Sequence, residues 1–382
     1  MRNIHNTQDG EKTKEEFSLL IYHLLKLIGM KKIVKQAVGI DVAQKELVIC
    51  LGRMYDDWTI ELYAHKTFAN TAKGYTALML WVKKQTDKTI AVRYIMEATG
   101  VYHESLAYFL DESNQQLSIV LPNKISNYFK TLDVKTITDK SASEAITLFG
   151  LERNLENWKR PKAIFKTLKQ FTRERDQIIE ERTVVKNQLH AEQAEAEPNP
   201  STISRLKQRI AFLSKQEKAI KEDIETLVKN DEDLKNNVLL ICSVSGVGLL
   251  TAAIVLAETN GLELMRNKRQ LASYAGFDIK EKQSGTSVKG KSCISKRGNK
   301  YLRKAMHLPA LSAIRHDERF KAIFIRLVSK HGIKMKAIVA VQRKLLEIIY
   351  TIFKSRIPYN KNYLKTAGIK KEFSSETEKR LK

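Results

Sequence analysis

The chain has 382 residues, enough for two or three domains, and 43% of them are apolar, so it can bury hydrophobic cores. Its 67 Lys and Arg against 43 Asp and Glu give a formal charge of +24, which predicts a polyanionic partner. The share of apolar residues excludes that the chain as a whole is a disordered basic segment. Cys50, Cys242 and Cys293 are far apart and form no CxxC pair, which indicates reduced thiols and no structural zinc.

Residues 1–36 are expected to form a leader that contains one amphipathic helix. A polar start is followed by an apolar run from Phe17 to Ile28, which His23 and Lys26 interrupt. The run is too short and too broken for a membrane span, and it lacks a small-residue cleavage site. We therefore expect a cytoplasmic protein without a membrane partner.

Residues 37–160 predict an α/β domain with a mixed sheet. Three strand-like runs, at 38–42, 47–51 and 59–68, come first and read as an antiparallel meander. A helix reaching about Lys84, a strand at 89–96, a helix at 101–110 and a strand at 117–121 follow. Strands that alternate with helices after an opening meander are typical of this fold class.

Three acids in this domain are candidates for chemistry. Asp41 lies between Ile40 and Val42 in an apolar strand, where a carboxylate is costly unless a cation or metal compensates it. Glu97 stands where a second strand ends, and Asp139 lies at the predicted N-cap of a helix. Together they could bind Mg²⁺, which takes oxygen ligands. Alternatively, Asp139 is only a helix cap and Glu97 only a surface residue.

Residues 161–230 carry two runs in which apolar or long side chains alternate by four and three, the spacing of a heptad seam. A proline-containing break at residues 197–200 separates them. Arg175 and Arg182 occupy seam positions in the first run, and Glu217 does so in the second. The pattern predicts an antiparallel hairpin within the chain or a dimerising coiled coil, with a structural role.

Residues 231–356 predict a mainly helical C-terminal domain, and residues 357–382 a basic tail. The domain opens with an apolar segment and the turn Ser245-Gly246-Val247-Gly248, which resembles a helix-hairpin-helix. Backbone N–H groups at such a turn can hold a nucleic-acid phosphate.

The stretch from Tyr274 to Arg303 interleaves small hydroxyl residues with Lys and Arg. A hydroxyl among cations can attack a phosphodiester, because the cations hold the phosphate and help to lower the pKa of the nucleophile. The stretch can also be a binding loop whose serines only hydrogen-bond phosphates. The residues that we expect to contact nucleic acid are Ser245, Gly246, Gly248, Lys289, Lys291, Lys296, Arg297, Lys300 and Arg303.

Six short motifs, taken in order and spacing, resemble the transposases of the insertion-sequence 110 family, the Piv/MooV-like DNA recombinases. The resemblance extends from about Val38 to Ser355. The six motifs are Gly39 to Ala43, Met96 to Tyr102, Lys135 to Lys140, Ser245 to Gly248, Gln283 to Gly285 and Ile294 to Arg303.

The resemblance implies a RuvC-like, RNase H-type fold for the first domain, with an Asp-Glu-Asp-Asp metal set. It also implies a coiled-coil insertion and a C-terminal transposase domain that carries a serine nucleophile. The partners that it implies are donor and target DNA and a guide (bridge-type) RNA from the flank of the mobile element. Strand exchange between two DNAs further predicts a homo-oligomer, dimer or tetramer, assembled through the coiled coil.

Carried over by position, Asp41, Glu97 and Asp139 would bind Mg²⁺. Ser284, the serine of the family's Ser-Gly step, would attack the phosphodiester and form a phosphoserine link. Ser287 and Ser292 are the fallback nucleophiles.

The chain departs from the family pattern at the fourth acid. That acid usually stands three residues after the third, where this chain has Ala142. The possible substitute is Glu144, which on a regular helix lies roughly 140° around from Asp139, against roughly 60° for position 142. The resemblance thus implies an RNA-guided DNA transposase. The alternatives are a metal-dependent, junction-resolvase-like endonuclease without a covalent intermediate, or a non-catalytic nucleic-acid-binding protein.

Overall fold

The computed structural model describes residues 31–361, apart from 99, 133–135, 137, 264, 281–282, 285–287 and 290–292. Most of the predicted leader and of the basic tail therefore lies outside the described residues. The chain forms two compact units, one ending at Arg160 and one beginning at Pro161. Within the described part of the chain, no helix has the length and apolar character needed to cross a membrane.

A five-stranded sheet forms the centre of the first unit. Its strands are β1 (Ile33–Val42), β2 (Glu46–Tyr55), β3 (Ile60–Ala69), β4 (Val92–Glu97) and β5 (Gln116–Val120). They lie in the order β3-β2-β1-β4-β5; the first three are antiparallel, β4 is parallel to β1, and β5 is parallel to β4. The predicted α/β domain with a mixed sheet is confirmed.

Helices cover both faces of this sheet. They are α1 (Ala72–Gln85), α2 (Glu104–Glu112), α3 (Pro122–Phe129) and α4 (Asp139–Glu152). Val38 and Ile40 pack with α1 and α2, whereas Ala37 packs with α3 and α4. Because strand residues alternate between faces, Gly39 and Asp41 share the face of Ala37, towards α4.

Helix α4 contacts the backbone of β1 directly at Gly39. The Gly39 N–H donates to Thr147 Oγ1 at 3.1 Å. A Cβ at position 39 would collide with that hydroxyl and with the Ser143 carbonyl, so this approach requires glycine. Further along, Gly150 lies against Ala37. The helix therefore runs opposite to β1, and its first residue, Asp139, falls at the end of the strand that carries Asp41.

The second unit is mainly helical and has one continuous core. Buried side chains from Phe165 to Phe353 contribute to it, so segments 161–230 and 231–356 pack together. The helices are α5 (Ala163–Gln193), α6 (Pro200–Asn230), α7 (Glu232–Cys242), α8 (Leu249–Glu258), α9 (Lys268–Tyr274), α10 (Lys300–Ala305), α11 (His307–His316), α12 (Glu318–His331) and α13 (Lys334–Ser355). Between α9 and α10 lie the short strands β6 (Ile279–Lys280), β7 (Gln283–Ser284), β8 (Val288–Lys289) and β9 (Cys293–Ile294).

The long helices α5 and α6 pack against each other within the chain, and their seam contains a charged cluster. Glu217 Oε1 lies 3.0 Å from Arg175 Nη2, and Oε2 lies 2.6 Å from Arg182 Nη1. Lys221 Nζ lies 2.8 Å from Glu217 on the same helix. Burial would raise the pKa of Glu217, but the hydrogen bonds from Lys221 and Arg182 and the nearby positive charges outweigh it and lower this pKa to about 2.

We expect Glu217→Ala to lower the free energy of unfolding by about 3 kcal/mol, because two largely buried arginines lose their common partner. The loss should be present above about pH 4.5 and should disappear as the pH falls towards about 2, since Glu217 is then protonated in the parent protein. Urea denaturation at several pH values measures it.

Glu222→Ala is the matched control. Its carboxylate lies on the same helix in an exposed pair with Lys218 at 3.8 Å, and its loss should change stability by less than about 1 kcal/mol. Equal losses in the two variants would show that the seam cluster contributes no more than a surface ion pair.

Candidate active site

Asp41 and Glu97 lie side by side at the ends of two neighbouring parallel strands. The β1–β4 ladder pairs Gly39 with Ile95 and Ile40 with Met96, so the next residues on the two strands are Asp41 and Glu97. Adjacent strands are about 4.8 Å apart, and both residues face α4. The fold thus brings together two acids that are 56 positions apart in the sequence.

The charges of these acids act on one another. Burial is the largest cause that raises the pKa of Asp41, and the negative charges of Asp139 and Glu97 add to it, bringing the pKa to about 6. A backbone hydrogen bond at Val42 opposes the increase. Asp41 is therefore a half-buried carboxylate whose ionised form is disfavoured by two like charges, an environment that a bound cation would relieve.

Asp139 is not the cap of α4, contrary to the sequence prediction. Thr138 holds that position: its Oγ1 accepts from the Ser141 N–H at 3.2 Å, and Ser141 Oγ accepts from the Thr138 N–H at 2.8 Å. Asp139 is the first residue of the helix itself. Since a threonine performs the capping, the capping explanation for Asp139 no longer applies.

Glu144 has a partner elsewhere. Its Oε1 lies 2.9 Å from Nε2 of His65 on β3. Because Asp139 already has helical geometry, Glu144 projects from a different side of α4, as the regular-helix estimate expects. The structure therefore places Glu97 and Asp139 close enough for their charges to act on Asp41, and it directs Glu144 towards β3.

The three carboxylates suit a hard divalent cation by their chemistry. They supply oxygen donors, and they create a site where Asp41 lacks charge compensation. Among the residues that the structure describes, no three His, Cys, Asp or Glu side chains are placed so that together they could hold a metal ion. Mg²⁺ commonly binds through one or two carboxylates, keeping water and substrate phosphate as further ligands, so an open arrangement fits this ion.

The second candidate centre is a β-hairpin that the sequence analysis described only as a loop. Ile279 pairs with Ile294 and Lys280 with Cys293 at its base, and Gln283 pairs with Lys289 and Ser284 with Val288 further out. The predicted nucleophile Ser284 thus lies on the outer pair of strands. The fallback serines 287 and 292, and Lys291, fall outside the described residues.

The base of this hairpin is fixed by hydrogen bonds between its two ends. Ser295 N–H donates to the Asp278 carbonyl at 2.7 Å, and Ser295 Oγ donates to Asp278 Oδ1 at 2.9 Å. Asn299 N–H donates to the Tyr274 carbonyl at 2.7 Å. Gly298 lies at φ +154°, where a Cβ would collide with that same carbonyl, which explains the glycine.

A buried carboxylate anchors this base to α5. The Glu258 side chain has no exposed surface, and it accepts from Arg173 Nε at 2.8 Å, from Arg173 Nη2 at 3.0 Å and from Asn299 Nδ2 at 2.6 Å. The Arg173 guanidinium lies 4.5 Å from the ring centre of Tyr301. Asn299 also caps α10 by accepting from Leu302 N–H. The hairpin therefore projects from a rigid, charge-paired support.

The predicted nucleic-acid contacts differ in their surroundings. Lys296, Arg297 and Lys300 are exposed beside the base of the hairpin. Arg303 Nη1 donates to the Ala275 carbonyl at 2.8 Å and so helps to hold that base. Lys289 lies on β8.

Ser245 is buried, and its hydroxyl donates to Asp317 Oδ2 at 2.8 Å. Gly246 and Gly248 remain exposed in the turn before α8, whose N-terminus has no side-chain cap. Any contact of this turn with a phosphate is therefore left to backbone N–H groups.

Residues 38–193 match the transposase family model DEDD_Tnp_IS110, and residues 238–324 match the model described as "Transposase IS116/IS110/IS902 family". The pilin gene-inverting protein of Moraxella bovis is 28% identical over 333 residues, which cover 86% of this chain and 98% of that protein. The chain belongs to the IS110 family of transposases. It is therefore an enzyme that acts on DNA.

Two further proteins resemble parts of the transposase. The transposase for insertion sequence element IS1111A of Coxiella burnetii is 28% identical over 144 residues, 36% of this chain and 37% of that protein. The solved structure of T. thermophilus RuvC in complex with a Holliday junction substrate has a TM-score of 0.25 and 7% identity, covering 32% of this chain and 99% of that one.

Glu258 and Arg173 of the transposase were not among the residues predicted from the sequence. Glu258 ends the helix Leu249–Glu258, whose other residues are apolar or small. A carboxylate in such a helix is as unusual as Asp41 in its strand. The criterion that singled out Asp41, an acid within an apolar run, therefore also applies to Glu258. Arg173, one of many basic residues on α5, carries no comparable signal.

We expect Asp41→Asn to raise the thermal stability of the metal-free transposase at pH 8. A folded-state pKa of about 6, above the ordinary 3.8, means that ionised Asp41 destabilises the folded protein above pH 6. The melting temperature should rise by about 2–4 °C for each kcal/mol of repulsion removed. The gain should shrink at pH 5, where Asp41 is largely protonated.

Calorimetry in EDTA at pH 5 and pH 8 measures this effect. Glu46→Gln, which removes an exposed acid from β2, is the matched control and should leave the melting temperature unchanged at both values. A loss of stability in Asp41→Asn at pH 8 would contradict the repulsion inferred at the acid cluster.

Proposed function

We propose that this transposase is an RNA-guided DNA recombinase of a mobile insertion element. In this proposal Ser284 cuts and rejoins DNA, assisted by Mg²⁺ at Asp41, Glu97 and Asp139. The observation that carries it is the convergence of three carboxylates at one end of the sheet, which leaves Asp41 uncompensated. The names of the relatives, a pilin gene-inverting protein and a transposase, support the same class of reaction.

The metal belongs at the three carboxylates because their oxygen donors and excess negative charge favour a hard cation. When bound, Mg²⁺ neutralises charge on the reacting phosphate and orients it. Asp41 and Glu97 are held by neighbouring strands and Asp139 by the start of a helix, so the backbone itself fixes their spacing. Ala142 leaves the site with three acids.

The serine step exchanges one phosphodiester for another. Ser284 Oγ forms a bond to phosphorus and the bond from phosphorus to a deoxyribose oxygen breaks; the serine releases its proton and the sugar oxygen takes one up. Attack by the deoxyribose hydroxyl of another strand reverses the exchange and frees the serine. Because a phosphate ester is conserved throughout, strands can be rejoined without an external energy source.

The basic surface beside the hairpin is the proposed nucleic-acid interface. Lys296, Arg297 and Lys300 are exposed there, and a formal charge of +24 favours binding of both DNA and a structured guide RNA. The assignment of a guide RNA rests on the family resemblance. Assembly into a dimer or tetramer through the α5–α6 hairpin would supply several acid clusters and serines to one synapse.

The test is the formation of a covalent protein–DNA adduct. Transposase is incubated with RNA from the element's flank, labelled donor and target DNA and Mg²⁺, then separated on a denaturing gel. A labelled band of protein size is expected, and it should be lost in Ser284→Ala and in Asp41→Ala.

Ser287→Ala and Ser292→Ala are the matched controls and should retain the adduct. If one of them loses it while Ser284→Ala keeps it, the nucleophile is assigned to the wrong serine. Cleaved DNA without an adduct would replace the proposal with a metal-dependent endonuclease. Binding without either product would indicate a non-catalytic nucleic-acid-binding protein.

Affinity for nucleic acid should fall steeply as salt rises, because bound phosphates release counterions. The double variant Lys296→Ala/Arg297→Ala should reduce the slope of log affinity against log salt by roughly 1.8 if each side chain contacts one phosphate. Fluorescence anisotropy over a salt series measures the slope.

Lys218→Ala/Lys229→Ala removes two equally exposed charges from α6 and should leave the slope nearly unchanged. The same decrease in both double variants would show that the hairpin cations contribute through net charge alone.

A further inference from the structure

One amide side chain connects the loops that follow both acid-bearing strands. Asn70 Nδ2 donates to the Ala43 carbonyl at 2.9 Å and to the Tyr102 carbonyl at 3.1 Å. Ala43 comes two residues after Asp41, and Tyr102 comes five residues after Glu97. The backbone N–H of Asn70 also donates to the Lys45 carbonyl at 2.9 Å, in the same β1–β2 turn.

The chemistry of its partners fixes the orientation of this amide. Two backbone carbonyls can only accept, so the NH₂ group must face them. The other end, Asn70 Oδ1, accepts from the hydroxyl of Tyr75 on α1. Tyr75 is in turn buried and packed against Phe109, with ring centres 5.5 Å apart. Both N–H bonds of the amide and its oxygen are therefore engaged, and a buried tyrosine holds it in place.

The two hydrogen bonds from Asn70 Nδ2 form a bridge just beyond the last pair of the β1–β4 ladder. The β1–β4 ladder ends at the pair Ile40 and Met96, immediately before the two acids. Beyond that pair, like charges on Asp41 and Glu97 repel each other and favour separation of the strand ends. The two hydrogen bonds of Asn70 span this point and oppose the separation.

We propose that Asn70 is a positioning residue that sets the spacing of Asp41 and Glu97 for a divalent cation by bridging the loops after β1 and β4. The inference rests on the proposed metal site. It assigns to Asn70 a role that a side chain at the start of α1 would not otherwise have. Some residues do not bind the metal themselves but hold its ligands in position. Their removal commonly lowers metal affinity or activity about 10- to 100-fold.

The experiment compares Asn70→Ala with Thr71→Ala in the full-length protein without nucleic acid. Both changes affect the start of α1, but the Thr71 side chain caps the helix by accepting from Gly74 N–H, and within the described residues it forms no hydrogen bond to either loop. Mn²⁺ is titrated by calorimetry, and the shift in melting temperature with Mg²⁺ is recorded. Asn70→Ala should weaken the apparent metal affinity about 10- to 100-fold, whereas Thr71→Ala should leave it unchanged.

The outcomes separate the inference from the proposed function. If the parent protein binds metal and Asp41→Ala does not, while Asn70→Ala binds as tightly as the parent, the bridge is unimportant and only this inference fails. If the parent protein itself binds no metal, the proposed metal site fails, and this inference with it. Equal weakening by Asn70→Ala and Thr71→Ala would reduce the effect to general destabilisation and also overturn the inference.

Tyr75→Phe provides a second variant if Asn70→Ala does not fold. It keeps the amide and the aromatic packing but removes the hydroxyl that orients Asn70 Oδ1. It should weaken metal binding in the same direction as Asn70→Ala and by a smaller factor. In adduct assays, both variants should raise the Mg²⁺ concentration for half-maximal rate more than they lower the rate at saturating Mg²⁺. Unchanged metal affinity in Tyr75→Phe, with Asn70→Ala unfolded, would contradict the bridge.

Discussion

The contact between α4 and the backbone of β1 determines where the acids of the first unit meet. Gly39 has no side chain, so the Thr147 hydroxyl can reach its N–H, and the helix lies directly on the strand. Asp139 at the helix start then falls next to Asp41 at the strand end. A larger residue at position 39 would push the helix away and separate the two carboxylates, so the glycine affects the position of a carboxylate two residues away.

Carboxylates in this protein are used in two opposite ways. Glu217 and Glu258 are buried with guanidinium partners, and for Glu217 the favourable contacts lower the pKa to about 2. Asp41 is half-buried among like charges, and its pKa rises to about 6. The paired acids hold helices together, whereas the uncompensated one marks the place where a cation would gain most. The structural acids and the candidate site acid are therefore distinguished by the charge of their partners rather than by their burial.

Local patterns predicted the five strands of the first unit and its helices α1, α2 and α4, because apolar periodicity specifies them directly; they did not predict α3. They also singled out Asp41, since a carboxylate in an apolar strand is costly wherever the strand lies. The β1–β4 register and the contact at Gly39 join residues far apart in the chain, and no short pattern contains them. Thr138 and Asp139 are both good caps, so sequence alone could not decide between them.

The second unit shows where such patterns fail. Heptad spacing found the two long helices and left open whether they pair within one chain; the Glu217 ion pairs place them together in one molecule. The hairpin that carries Ser284 was missed because its strands are two residues long and lack apolar alternation.

The arginines of α5 have a mechanical consequence. Arg173 is bound to Glu258 at the base of the serine hairpin, and Arg175, two residues later, is bound to Glu217 on α6. A 31-residue helix is about 46 Å long; both contacts lie about one third of the way along α5, and Arg182 binds Glu217 further on. Helix α5 cannot rotate or slide without breaking one of these ion pairs. Because Glu258 also accepts from Asn299, the position of α5 is coupled to the foot of the hairpin.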